Sequence, residues 1–375
     1  MERFYPLHVY VCHECFLVQL AEFQSPDEIF SQDYAYFSSY SDSWLAHSRK
    51  YVDGMMSRFG YGADSLVMEL ASNDGYLLQY FVEKGVPVQG VEPASNVAAV
   101  AEKKDVPTLV RFFGKELARE LIADGKRPDL LLGNNVLAHV PDINDFVGGM
   151  KIVLKEDGVI TMEFPHLLQL MRHNQFDTIY HEHFSYLSFT TVERIFASHG
   201  LTLFDVEELW THGGSIRIYA RHADDASKTV SPRVAEIKRQ EEAFGLYDLS
   251  AYLAFQPQVQ ATKRKLLSFV LEAREKGKTL SGYGAPAKGN TLLNYCGLGT
   301  DLVDFTVDRS PHKQGLYLPG THIPIRHPEE VMLHKPDYLL VLPWNIRDEV
   351  MDQMTAIRGW GGKFVVPIPE VEILD

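Results

Sequence analysis

Apolar and polar residues alternate over 4–10 well enough for a strand, and a helical period takes over along 44–59. Residues 65–70 form an apolar run of strand length. They lead into the small-residue turn Ala71-Ser72-Asn73-Asp74-Gly75, a helical pattern over 76–84, and a second apolar run, 88–91, that ends in Glu92-Pro93. Strand, turn, helix, strand and terminal acid make a parallel α/β unit. The alternation continues with a helix over 117–123, a buried strand over 130–132, a helix over 146–154 and a strand over 159–164. A helix over 190–199 follows, C-capped by Gly200, then a strand over 201–208 and a turn and last strand over 210–219. The expected product is a sheet of about seven strands.

Residues 231–276 are rich in Gln, Glu, Lys and Ala at helical spacing, which predicts one or two connecting helices. A smaller doubly wound unit comes next: strand 279–283, turn 284–290, helix 291–296, strand 303–307 ending at Asp308, and strands 338–342 and 364–368. The fold class is therefore α/β, in four parts: an N-terminal segment 1–60, a central Rossmann-like domain 61–225, connecting helices 226–277 and a C-terminal Rossmann-like domain 278–375.

Composition narrows the setting. A length of 375 residues suits two or three domains, and 45% hydrophobic content can fill their cores. A net charge of −14 argues against non-specific binding to nucleic acid or to an anionic membrane. No stretch is apolar for long enough to span a bilayer, and the start lacks the charged-then-apolar pattern of a signal peptide. Three cysteines, an odd number, do not form a disulfide scaffold. A cytoplasmic monomer is expected.

Candidate chemistry concentrates at 177–186, Asp-Thr-Ile-Tyr-His-Glu-His-Phe-Ser-Tyr. His181 and His183 would share a face of an extended strand; on a helix they would diverge, so this is not the i, i+4 pair of a helical zinc protease. A plain polar loop is the alternative. The stretch follows strand 159–164, however, and ligands of open α/β sheets bind at the carboxyl ends of strands, which favours a general acid/base cluster. His139 falls on the same edge. The aromatic, serine-rich segment 32–43, with Tyr34, Tyr36, Phe37 and Tyr40, resembles a loop over a site.

The turn at 71–75 holds one glycine, Gly75, and is not Gly-x-Gly-x-x-Gly. That argues against a dinucleotide and suits a ligand with one ribose and no phosphate, such as S-adenosylmethionine, with Glu92 accepting from the ribose hydroxyls. Lys288 opens a helix in the C-terminal unit and suits a phosphate or diphosphate; an architectural turn without a ligand is the alternative. Cys12 and Cys15 have the spacing of two of the four ligands of a structural zinc, half of a zinc ribbon; two cysteines at a strand turn without metal are the alternative.

Together these residues resemble the sugar C-methyltransferases of bacterial deoxysugar pathways, which act on nucleotide-linked 4-keto-6-deoxyhexoses. The resemblance spans nearly the whole chain. It rests on Tyr-Pro-Leu-x-Val-x-Val-Cys-x-x-Cys at 5–15, Glu-Leu-Ala-Ser-Asn-Asp-Gly-Tyr at 69–76, and the motifs at 134–140, 163–166, 180–183, 212–215 and 284–290. It implies a zinc ribbon, a central S-adenosylmethionine domain and a C-terminal Rossmann-like domain. Two departures stand out. The family ribbon has two Cys-x-x-Cys pairs where this sequence has Cys12 and Cys15 alone, which leaves zinc open, and the family turn more often has Gly at the position of Ala71.

The resemblance also implies roles. His183 is the base at C3 of the sugar, with Tyr180 and Glu182 positioning base or substrate, and His139 and Tyr34 reaching the C4 oxygen or the ring. Glu69, Ala71, Asn73, Gly75, Glu92 and Asn134 contact the cofactor. Lys288, Asn290 and His181 contact the nucleotide-sugar substrate. An inactive cofactor-binding scaffold and an O- or N-methyltransferase are the competing readings.

Overall fold

The computed structural model describes residues 2–30, 34 and 36–375. Gln32, Asp33 and Ala35 of the aromatic loop lie outside the described residues.

The central domain is the expected seven-stranded sheet. Its strands are β3 (Val67–Leu70), β4 (Val88–Val91), β5 (Thr108–Leu109), β6 (Leu130–Asn134), β7 (Val159–Pro165), β9 (Leu201–Leu209) and β10 (Ser215–His222), in the order β5-β4-β3-β6-β7-β10-β9. Strands β3 to β7 run parallel, and β10 is antiparallel to both β7 and β9. Both faces are covered, so the parallel strands are apolar on both sides. Met68, Leu131 and Ile160 pack one core with the helices Lys115–Ala123, Ile143–Val153 and Phe189–Ser198. Val67, Leu130 and Val159 pack the other with Tyr51, Val52 and Met55 of the helix Asp42–Phe59. That helix, assigned by sequence to the N-terminal segment, is thus part of the central core. Its start is fixed by Ser41, whose hydroxyl accepts from Trp44 N, and its end by Gly60 at φ 70°.

Alternation over 4–10 yields only a short strand, β1 (Val9–Val11). Residues before it find no ladder partner among the described residues. β1 pairs with β2 (Val18–Leu20), and β2 pairs with β8 (Ser185–Tyr186), giving a three-stranded antiparallel sheet. The N-terminal hairpin is therefore joined to the 177–186 stretch that concentrates the candidate chemistry.

Two connecting helices follow, Pro232–Phe244 and Leu249–Glu275. Glu241 of the first is fully buried; it accepts from His166 Nε2 at 2.7 Å and from the amides of Phe189 and Thr190. The C-terminal sheet has six strands: β11 (Leu280–Tyr283), β12 (Thr306–Val307), β13 (Ile325–Arg326), β14 (Tyr338–Val341), β15 (Lys363–Val366) and β16 (Glu372–Leu374), ordered β13-β12-β11-β14-β15-β16. All pairs are parallel except β15 with β16.

The strand order reverses at β3/β6 in the central sheet and at β11/β14 in the C-terminal one. Such switch points open the crevices in which α/β proteins bind ligands.

Candidate active site

Residues from both switch points line one cavity of about 1040 Å³. The central sheet contributes Ala71 and Asn73 after β3, Glu92 after β4 and Asn134 at the end of β6. The C-terminal sheet contributes Ala285, Pro286, Ala287 and Lys288 after β11. Phe30, Tyr34 and Tyr36 come from the N-terminal segment, and Tyr180, Glu182 and His183 from the stretch between β7 and β8. The volume exceeds that of most single-ligand pockets and leaves room for a cofactor beside an acceptor.

The stretch 177–186 is not a strand until Ser185. A 3-10 turn spans Phe176–Thr178, and a turn at 180–182 reverses the chain, closed by a bond from His183 N to Tyr180 O. This overturns the shared-face expectation for the two histidines. His181 points outward, donates from Nε2 to Pro6 O at 3.1 Å and lies against Tyr5 and Phe23, away from the residues that line the cavity. His183 points inward. Its ring packs at 4.1 Å from the Tyr180 ring and edge-on at 4.7 Å from His139. The amide of Phe184 donates to Ala138 O and so ties the stretch to the end of β6.

His183 Nδ1 is 3.0 Å from Thr178 O. A carbonyl only accepts, so Nδ1 carries the proton and Nε2 keeps its lone pair. Burial, with His139 beside it, pushes the imidazolium of His183 well below its usual range. Burial likewise takes His139 and His212 down to about 4. The three rings are neutral at physiological pH. Burial also raises the phenols of Tyr34 and Tyr180, which therefore remain hydroxyl donors, and raises the Glu182 carboxyl despite the nearby Lys313.

At the central switch point, the turn after β3 places Ala71 at φ 56° and Asn73 at φ 49°, left-handed conformations in which a Cβ is unfavourable. Glu92 holds this turn. One carboxylate oxygen accepts from Asn73 N at 3.0 Å, the other from Ala94 N at 2.9 Å. Burial raises Glu92 to about 7 despite these amides. The Asn73 side chain faces the N-terminal segment: Oδ1 accepts from Ser38 N and Nδ2 donates to Tyr36 O.

Of the six expected cofactor residues, Ala71, Asn73, Glu92 and Asn134 line the cavity; Glu69 and Gly75 do not. Gly75 is required by its φ of 73° and by packing, because a Cβ there would lie 3.1 Å from Ala101 Cβ. Glu69 is fully buried with neither carboxylate oxygen partnered, and the Asn134 amide nitrogen is buried and unpartnered too. Asn134 does line the cavity, and its unpartnered donor beside the acid at the end of β4 fits a ligand with a carboxylate and a ribose, and so fits S-adenosylmethionine.

At the C-terminal switch point, the helix Ala287–Cys296 starts at Lys288's own turn. Lys288 lies over the Trp344 ring at 4.5 Å and donates to Asn345 Oδ1. Burial takes its ammonium down to about 8 against the pull of Asp177. Asn290 lines the cavity as well. Sequence reasoning quoted Asp177 and Tyr186 as the ends of the 177–186 stretch but gave neither a role, and it gave none to Lys313 or His212, which line the cavity. His212 lay within a quoted motif, but the turn residues around it, Thr211, Gly213 and Gly214, gave no signal of chemistry. Lys313 comes from a loop with no periodicity.

Cys12 and Cys15 sit on the hairpin turn between β1 and β2, where Phe16 N donates to Cys12 O. Among the described residues no three His, Cys, Asp or Glu gather around a common point. Two thiols alone do not fit a four-ligand structural zinc.

A family model described as methyltransferase domain matches residues 46–206, one described as C-methyltransferase C-terminal domain matches 210–369, and a model for a zinc-binding domain matches 1–30. The chain is 39% identical over 374 residues to C-methyltransferase NovU of Streptomyces niveus, which covers 100% of this chain and 89% of that protein. Solved structures similar in part include the 1,6-didemethyltoxoflavin-N1-methyltransferase of Burkholderia thailandensis, 18% identical over 56% of this chain and 95% of that one, with a TM-score of 0.41. The PH0226 protein of Pyrococcus horikoshii OT3 is 17% identical over 53% of this chain and 99% of that one, with a TM-score of 0.42. With a curated relative matched over all of this chain and 89% of that protein, the chain belongs to the C-methyltransferase family and is an S-adenosylmethionine-dependent methyltransferase.

Proposed function

We propose that the protein methylates a nucleotide-linked 4-keto-6-deoxy sugar at C3, a carbon next to the C4 ketone, with His183 as the base. The observation that carries this reading is the fixed tautomer of His183: Nδ1–H is held by Thr178 O, and the ring lies beside His139 in the shared cavity. A carbon next to a ketone becomes nucleophilic only when its proton is removed, and a neutral imidazole with a free Nε2 can remove it. The developing enolate oxygen needs donors, and the protonated phenols of Tyr34 and Tyr180 line the same cavity. Glu92, Asn134 and the turn at Ala71 would hold the cofactor, which supplies an electrophilic methyl group when bound. Lys288 and Asn290, at a helix start, would face the diphosphate, and Glu182 would orient the sugar. His181 takes no part in this reading, because it faces Pro6.

The test is incubation of a nucleotide-linked 4-keto-6-deoxy sugar with protein and S-adenosylmethionine in heavy water, read by mass spectrometry and NMR. A product one methyl heavier, substituted at C3, supports the proposal. A methyl at C5 would keep the enolate chemistry and overturn the position. A methyl on oxygen or nitrogen would overturn the carbon-acid mechanism.

A further inference from the structure

The Thr178 carbonyl is held from two sides: within its own turn Thr178 N and Oγ1 donate to Gln175 O, and the residues next to it are tied to the C-terminal domain. Thr178 sits in a 3-10 turn, and its neighbours are anchored one after another. Asp177 Oδ2 accepts from Trp344 Nε1 at 2.7 Å, and both side chains are buried. Ile179 O accepts from Thr291 Oγ1 at 3.0 Å. Phe176 belongs to the hydrophobic core of the C-terminal sheet and meets the Tyr295 ring at 5.3 Å. Trp344 follows β14 and Thr291 lies in the helix after β11, so both bonds come from the C-terminal switch point.

We propose that Trp344 and Thr291 are positioning residues: by clamping Asp177 and Ile179 they hold the Thr178 carbonyl that fixes the His183 ring with Nε2 free. The C-terminal domain is then part of the proton-transfer apparatus as well as a wall of the cavity. The inference rests on the reading of His183 as the base.

The geometry explains why two bonds are used. Within the turn the Thr178–Ile179 peptide is held by Ile179 N donating to Phe176 O, and a single short 3-10 turn has poorer hydrogen-bond geometry than an α-helix and gains from outside anchors. The bond to the Asp177 side chain anchors the residue before Thr178, and the bond to Ile179 O anchors the peptide that follows the Thr178–Ile179 plane, so the turn is held on both sides of the carbonyl. Without them the carbonyl is held by the turn's own bonds alone, and His183 Nδ1 is held less firmly to one tautomer and one angle, although both ligand sites remain lined by the same residues.

The experiment measures two quantities in the full-length protein: kcat with KM for the acceptor, and exchange of the acceptor's C3 proton with solvent deuterium in the presence of S-adenosylhomocysteine. Trp344→Phe keeps the ring and removes the N–H donor. Thr291→Val removes the other bond at nearly constant shape and serves if Trp344→Phe fails to fold. The expected result is a fall of about tenfold in both kcat and exchange, with acceptor KM and cofactor affinity within twofold of the parent. Asp177→Leu should lower kcat and exchange by a similar factor, with its acceptor KM left out of the comparison because the variant also removes the charge beside Lys288. Asp177→Asn retains an oxygen that accepts from the indole and should recover most of the loss, which a role confined to charge would not produce. Unchanged exchange in folded Trp344→Phe and Thr291→Val overturns the proposal. His183→Ala run alongside separates the two failures: if it retains exchange, the base assignment falls; if it alone loses exchange, the base stands and the clamp falls.

Discussion

At the scale of single residues, the site works by keeping titratable groups in the form that their work requires. His183 is neutral because it is buried beside His139, and the direction of its Nδ1–H bond decides which nitrogen is free. Replacing it with Ala should lower kcat by roughly 10²–10⁴-fold, the usual contribution of a general base, while calorimetry shows unchanged cofactor affinity. Glu92 sets a pH dependence of a different kind. With its carboxyl raised to about 7, it is mostly protonated at the acid side of neutrality and ionised on the alkaline side. The ionised form is the stronger acceptor for ribose hydroxyls. Affinity for S-adenosylmethionine should therefore rise between about pH 6 and pH 8, and Glu92→Gln should bind more weakly at pH 8 with a flat profile. An unchanged affinity in that variant would remove Glu92 from the cofactor site.

At the scale of elements, turns carry the burden. Gly213 has φ 86°, and a Cβ there would lie 2.7 Å from the Trp344 ring and from Gln175 Nε2, which donates to the Gly213 carbonyl. Gly213→Ala should cost about 2 kcal/mol or more, read as a lower midpoint in urea, because strain and a rigid indole act together. Ala71 is the converse case: relief of its left-handed strain makes Ala71→Gly neutral or stabilising within about 1 kcal/mol by the same measurement. Elements of this kind also mark what the sequence could reveal. The alternation of apolar runs with helical periods was enough for the central sheet, because strands buried on both faces read as continuous apolar segments such as Leu130–Asn134. The acid after the second strand identified Glu92. Strands of two residues, such as Thr108–Leu109 and Ser185–Tyr186, were invisible because two residues carry no period. The divergence of His181 from His183 was hidden for a related reason. It depends on a turn closed by His183 N and on Pro6, far away in sequence. Asp177 looked like any loop acid until its indole partner in another domain was in view.

At the scale of the whole molecule, two switch points share one cavity, and this arrangement separates the effects of mutations on either side. Lys288→Ala should raise the acceptor KM by an order of magnitude or so, as loss of one charge-assisted phosphate contact does, with cofactor affinity unchanged. An unchanged KM would move the diphosphate elsewhere. The small sheet that joins β2 to β8 has a consequence in time. Pro6 and His181, 175 positions apart, touch in the finished protein. At ~5–20 residues per second, the hairpin leaves the ribosome roughly 10–35 s before the segment it must pair with exists. Until then its outer edge is an open template for any passing strand. The clamping tryptophan arrives later still. In the proposed mechanism the base is consequently one of the last parts of the chain to be assembled, so a nascent or truncated protein could carry a complete central sheet and still lack an ordered His183.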